Sequence, residues 1–276
     1  MKFGLDAANF GDYSDPFTLA ELAAEAEDVG WDGFFVFDHI LPDDTHKNLF
    51  DPWIILASIA MRTSKIRIGP MVTPIPRRRP WKLARETISL DYLSNGRLTL
   101  AVGLGGPPER EFEKFGEISD TKIRAEMLDE GLEILKGLWN TERFNYEGTH
   151  YQIHDVVFNP PPVQYPRIPI WIGCKWQNKK PLKRAAKWEG VFPIPHKGET
   201  ITPENLRTIV NYIETYRDRD SDFDVALADH DGSRTSQSLA AYQRAGLTWW
   251  IQRIHSPWFN SLDEVRAHIQ KGPPSL

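Results

Sequence analysis

Asp38 and His39 stand near the end of the run FFVFDHI, after four large apolar residues of what reads as a buried strand. An imidazole in that place can take or give a proton near neutral pH. Adjacent side chains on an extended chain point to opposite sides, so one of the pair faces any cavity at the strand end. His39 is assigned to the cavity, and Asp38 to loop backbone or a helix start. Two other stretches, GLGG at 103–106 and GCK at 173–175, offer a ligand bare backbone. Glycine there permits close approach, although it also serves tight turns. Two such rims at one mouth suit a flat or phosphorylated ligand.

Other chemistries fit less well. GLGGPP lacks the lysine and the spacing of a P-loop. Cys174 sits at a strand end as a candidate nucleophile, without a base placed beside it, and there is no GxSxG elbow. The histidines show no metal-ligand spacing on a helix. A glycosidase-type carboxylate pair lacks a strand that clearly ends in glutamate. The single basic run, Arg77-Arg78-Arg79, lies between Pro76 and Pro80 and reads as a solvated loop, with an anion site at the following helix start as the alternative.

These residues need a scaffold, and the chain alternates short apolar runs with helical patterns. Strands are expected over 2–7, 33–37, 65–72, 97–105, 168–173, 190–194, 223–228 and 247–254. Helices are expected over 15–30, 51–63, 79–96, 121–139, 178–188, 202–218, 233–246 and 261–272. Asp15-Pro16, Asp51-Pro52 and Thr202-Pro203 are cap-and-start signals, and Asn95-Gly96 is a left-handed stop. Residues 140–169 break the rhythm with a hairpin turning near Glu147-Gly148, then a proline-rich extended run. Eight strand–helix units predict a (β/α)8 TIM barrel, an α/β fold, with an insertion between strands four and five; residues 1–276 form one domain. On that fold the strand ends carrying Asp38, His39, Gly103 and Gly173 share one mouth.

The bulk numbers narrow the class. The chain has 276 residues, a net charge of −5 and one cysteine. The acidic excess is spread along it, against a nucleic-acid footprint. One cysteine excludes an internal disulfide, and no apolar stretch approaches a membrane span or a signal peptide, so a cytoplasmic protein is expected.

The run KIRIGPMVTPIPRRRPWKLARETISLDYLSNGRLTLAVGLG (65–105) resembles the luciferase-like monooxygenase superfamily. The resemblance continues through LDEGLEILKGLW (128–139), PPPVQYPRIPIWIG (160–173) and KRAAKWEGVFP (183–193). It implies a TIM barrel that binds reduced FMN or, in a related branch, the deazaflavin F420. By position, Asp38 and His39 match the pair ending strand two, with the histidine near the ring. Met71 and Val72 match the bulge after strand three that backs the ring, often with a non-proline cis peptide, and Thr73 stands beside them among the cofactor-binding positions. Gly103 and Gly105 match the strand-four rim, and Gly173, Cys174 and Lys175 the phosphate-side loop after strand five.

The sequence departs from this pattern twice. Cys174 stands where a second glycine is common, which leaves the backbone there less free. Gly106 stands where some F420-dependent sugar oxidisers carry an acid, with Glu109 and Glu111 further along. That departure favours FMN, and with it a monooxygenase that uses O2 on a small organic substrate, supplied with reduced flavin by a partner reductase. F420-dependent hydride transfer and a non-catalytic flavin-binding protein are the alternatives. The resemblance also implies a homodimer, for which the apolar helix over 52–60 offers a surface. Trp171, Trp176, Trp249, Trp250 and Trp258 are candidates for the substrate side of the mouth.

Overall fold

The Asp-Pro signals do what their chemistry requires. Asp15 accepts hydrogen bonds from the N–H groups of Phe17 (3.1 Å) and Thr18 (3.0 Å), and Asp51 accepts from those of Trp53 (2.9 Å) and Ile54 (3.0 Å). Each satisfies two of the donors a helix start leaves free, and the proline that follows has no N–H to satisfy. The structure is a computed structural model that describes residues 1–43, 45, 48–196, 199–217, 222–229, 236–255 and 259–275. Trp258 and the start of the helix expected over 233–246 lie outside these.

The strands are β1 (Lys2–Ala7), β2 (Gly33–Val36), β3 (Arg67–Pro70), β4 (Thr73–Pro74), β5 (Leu100–Gly103), β6 (Phe144–Glu147), β7 (Gln152–Val156), β8 (Ile170–Lys175), β9 (Gly190–Ile194), β10 (Asp224–Asp229) and β11 (Trp249–Arg253). The helices are α1 (Pro16–Asp28), α2 (Pro52–Arg62), α3 (Pro80–Leu93), α4 (Pro108–Glu111), α5 (Thr121–Leu138), α6 (Lys179–Ala185), α7 (Pro203–Glu214), α8 (Ser236–Arg244) and α9 (Leu262–Ile269). Asn95 and Gly96 both take positive φ, 53° and 78°, so the stop signal after α3 is real. Among the described residues, no helix is long and apolar enough to cross a membrane.

One parallel sheet has the order β3-β2-β1-β11-β10-β9-β8-β5-β4. The third barrel strand is split: β3 and β4 are its two halves, separated by a cis peptide between Met71 and Val72. Below the split, the N–H of Ile68 donates to the Arg97 carbonyl (3.0 Å) and that of Thr99 to the Ile68 carbonyl (2.9 Å). Above it, β4 pairs with β5. The third strand therefore reaches the fourth on both sides of the break, and the barrel closes. The β6–β7 hairpin lies between β5 and β8, the expected insertion.

Both faces of the barrel strands are buried, as a sheet covered by helices and filled inside requires. The outer faces pack with the helices around Leu5, Phe34, Ile68, Leu100 and Ile172. The interior is filled by Phe35, Trp171, Phe192, Trp249 and Ile251. The Trp171 and Trp249 rings stand 5.4 Å apart, edge to face, and Phe35 is 5.5 Å from Trp171. These two tryptophans are thus floor, not mouth. Trp250 faces outward into the helix layer, and Trp176 packs partly buried against that outer core. The apolar helix over 52–60 is likewise mostly internal, with Trp53, Ile55, Leu56 and Ile59 buried and Ile54 exposed.

Candidate active site

Above the aromatic floor, at the C-terminal ends of the strands, lies a cavity of about 650 Å³. That is the size of a small-molecule site. Asp38, His39, Met71, Val72, Gly103, Gly105, Gly173, Cys174 and Lys175 all line it, and so do Arg124, Arg184 and Arg253. Thr73 does not line it; its hydroxyl donates to Asp38 Oδ2 from behind (2.8 Å).

The wall on the β2–β3 side is built from charges. The Asp38 carboxylate is buried and accepts from Arg77 Nη2 (2.7 Å), Arg78 Nη2 (2.7 Å), Trp53 Nε1 (3.3 Å) and the Thr73 hydroxyl. Glu111, fully buried at the end of α4, forms an ion pair with Arg77 and accepts from the N–H of Leu41 (3.1 Å). Two carboxylates thus face two guanidiniums. Buried ions require this, since an unpaired charge out of water costs several kcal/mol. His39 completes the wall, its Nδ1 3.0 Å from Glu111 Oε1 and its ring edge-on to Phe10 and Phe37. Burial pushes the His39 imidazole down to about 4; the Arg77 cation adds to this, Asp38 opposes it, and Arg253 adds again. Burial and the Arg77 cation thus favour the neutral ring, while the Glu111 carboxylate beside Nδ1 works against them.

The wall on the β5–β8 side is built from backbone. Gly105 has φ +75°, and a Cβ there would lie 2.7 Å from the Pro74 ring. A Cβ on Gly173 would lie 2.8 Å from Val72 Cγ1. Neither position tolerates a side chain without movement, and their bareness leaves flat ground over Met71 and Val72. The buried Arg124 guanidinium supports this rim from α5 by donating to the carbonyls of Leu104 (2.9 Å) and Gly105 (3.1 Å). At the β8 end, Lys175 Nζ donates to the Pro195 carbonyl (2.9 Å), and Arg184 on α6 pairs with Asp129. That end is basic, which suits a phosphate.

The luciferase-like monooxygenase family model matches residues 4–254. The chain belongs to that family. Its curated relatives include an F420-dependent glucose-6-phosphate dehydrogenase of Amycolatopsis mediterranei, 32% identical over 179 residues, which cover 63% of this chain and 52% of that protein. The chain thus spans about half the length of that relative. Among solved structures, an F420-dependent secondary alcohol dehydrogenase in complex with an F420-acetone adduct superposes with a TM-score of 0.79 at 17% identity, covering 98% of this chain and 97% of that one. The monooxygenase RslO1 from Streptomyces bottropensis superposes with a TM-score of 0.77 at 20% identity, with the same coverage. These two likenesses show that the chain shares their barrel fold.

Against this luciferase-like frame, several expectations change. Asp38 holds neither loop backbone nor a helix start: its partners are side chains, and Asp51 caps α2 instead. Arg77 and Arg78 do not form a solvated loop; their side chains are 6% and 18% exposed because they neutralise Asp38 and Glu111. Cys174 is no nucleophile. Burial raises its thiol to about 12, so the thiolate that would attack is not populated. Although it borders the cavity, Cys174 packs with the outer core, which accounts for a side chain where glycine is common. The sequence names Glu111 only as an acid further along the loop, and neither its place behind His39 nor Arg253 at the cavity was foreseen. Glu111 belongs to a four-residue helix in the loop after β5, and only the pairing of glutamate with a distant arginine run hints at it.

Proposed function

We propose that the protein is an F420-dependent oxidoreductase that converts a hydroxyl group of a small substrate to a carbonyl. The observation that carries this reading is His39: a neutral imidazole on the rim of a cavity whose opposite wall is bare backbone. The curated relatives named as F420-dependent dehydrogenases support the same branch.

The residues fit the cofactor. Gly103, Gly105 and Gly173, backed by Met71 and Val72, leave a side-chain-free surface for a planar ring, and Lys175 and Arg184 lie where a phosphate would be neutralised. F420, when bound, supplies a two-electron hydride acceptor. His39 would take the proton of the substrate hydroxyl at Nε2, the carbinol hydrogen would pass as hydride to that acceptor, and the C–O bond would become C=O. Arg77 and Asp38 fix the wall from which His39 works, and the aromatic floor excludes water from below. A second reading, oxygenation with reduced FMN, draws on Gly106, which lines the cavity where some F420-dependent sugar oxidisers place an acid.

The test is anaerobic mixing of the protein with oxidised F420 and a panel of simple secondary alcohols and sugar phosphates. Loss of the oxidised cofactor's visible absorbance with at least one hydroxyl compound supports the proposal. Turnover that needs reduced FMN and oxygen, with none from F420, contradicts it.

A further inference from the structure

We propose that Glu111 is a positioning residue that locks His39 with its proton on Nδ1, leaving Nε2 as the ring atom that accepts a proton at the cavity. The inference deepens the hydride-transfer reading and rests on it for its catalytic meaning, but the tautomer itself follows from the contacts of Glu111.

Those contacts are all donors. Oε1 accepts from the N–H groups of Leu41 (3.1 Å) and Ile40 (3.3 Å), and Oε2 from that of Ile40 (3.2 Å) and from the Arg77 guanidinium. Hydrogen bonds and a cation directed at the charged form keep a carboxyl ionised, even when buried. An ionised carboxylate has no proton to donate. The ring nitrogen 3.0 Å from it must therefore be the donor, so Nδ1 carries a proton, and in the neutral ring it carries the one proton there is. A proton on Glu111 instead would leave the buried Arg77 cation without half of its compensation.

The residue is held at its backbone as well. Asn9 Nδ2 donates to the His39 carbonyl (2.8 Å), and Asn9 Oδ1 accepts from the His39 N–H (3.4 Å). With Nδ1 committed, no protein group among the described residues hydrogen-bonds Nε2. Gly106 occupies the rim position, and the acid of this loop, Glu111, stands behind the histidine, five residues further along. It acts on the substrate only through His39. Carboxylate–imidazole pairs elsewhere set the tautomer of a catalytic base in this way, and changing the acid to its amide there costs orders of magnitude in rate.

Nitrogen NMR of the full chain with isotope-labelled histidine, at neutral pH and without cofactor, tests this. His39 is assigned by the signals missing from His39→Gln. A single species protonated at Nδ1 is expected; protonation at Nε2, or a mixture of the two forms, overturns the proposal. In Glu111→Gln the amide can donate or accept, so a mixed tautomer population is expected, with turnover about 10²–10⁴-fold lower and cofactor affinity little changed. A folded Glu111→Gln that keeps pure Nδ1 protonation overturns the role of Glu111. If that variant does not fold, the wild-type spectrum decides. Failure of F420 to bind would remove the hydride reading and leave the tautomer result standing.

Discussion

The two walls of the cavity are made by opposite means. On the β2–β3 side, Asp38, Glu111, Arg77 and Arg78 fill the space with paired charge, and His39 faces the cavity beside them. On the β5–β8 side, Gly103, Gly105 and Gly173 leave the space empty, and one arginine, Arg124, is spent on carbonyl oxygens to keep the empty loop in place. Under the proposed function, the first wall sets where a proton can be and the second what shape can lie down. Charge density and bareness are therefore complementary halves of one site.

Removing the imidazole should have the largest effect. His39→Gln is expected to lower turnover about 10²–10⁴-fold while cofactor affinity is kept, measured by steady-state rates beside a binding titration. Asp38→Ala attacks the frame of the same wall. It leaves Arg77 and Arg78 buried without their shared anion, so chemical denaturation should show a loss of about 3–5 kcal/mol. Gly173→Val attacks the other wall. Its side chain would meet Val72 and occupy the ring surface, and cofactor affinity should fall by about tenfold or more, roughly 1.4 kcal/mol, with turnover recovering as cofactor is raised. If Gly173→Val instead behaved like His39→Gln, with affinity kept and turnover lost, the division between the walls would fail.

Two smaller effects sharpen the contrast. The folded imidazole of His39 titrates at about 4, below its ordinary 6.5. Its contribution to stability is complete above about 6.5 and is lost as pH falls toward 4, because the unfolded chain takes the proton first. The slope is at most about 1.4 kcal/mol per pH unit, and it should disappear in His39→Gln when denaturation is repeated across that range. Cys174→Ser should change turnover by less than about twofold, since the neutral thiol does no chemistry, and thiol reagents at neutral pH should leave Cys174 unmodified in the folded protein.

Much of the scaffold was legible because local chemistry decides it. Asp15, Asp51 and Thr202 cap helices with short-range bonds that the next few residues specify, and the eight barrel strands announce themselves as short apolar runs between those helices. The charged wall was not legible, because it depends on distance along the chain. Arg77 meets Asp38 39 residues earlier and Glu111 34 residues later, and three arginines between prolines look like a loop until those partners are present. The tryptophans failed for another reason. In a barrel strand both faces are apolar, so alternation cannot say that Trp171 and Trp249 fill the interior while Trp250 packs outward. The resemblance placed the residues of the bare wall, yet the packing that makes Cys174 inert is visible only in three dimensions.

The most direct test of the central claim is a competitive binding titration of the cofactor-free protein with oxidised F420 and FMN, followed by their visible absorbance and fluorescence. Saturable binding of F420 that excess FMN fails to displace, and that weakens in Gly173→Val but not in His39→Gln, is the expected result. Tight binding of FMN with no binding of F420 would contradict the account.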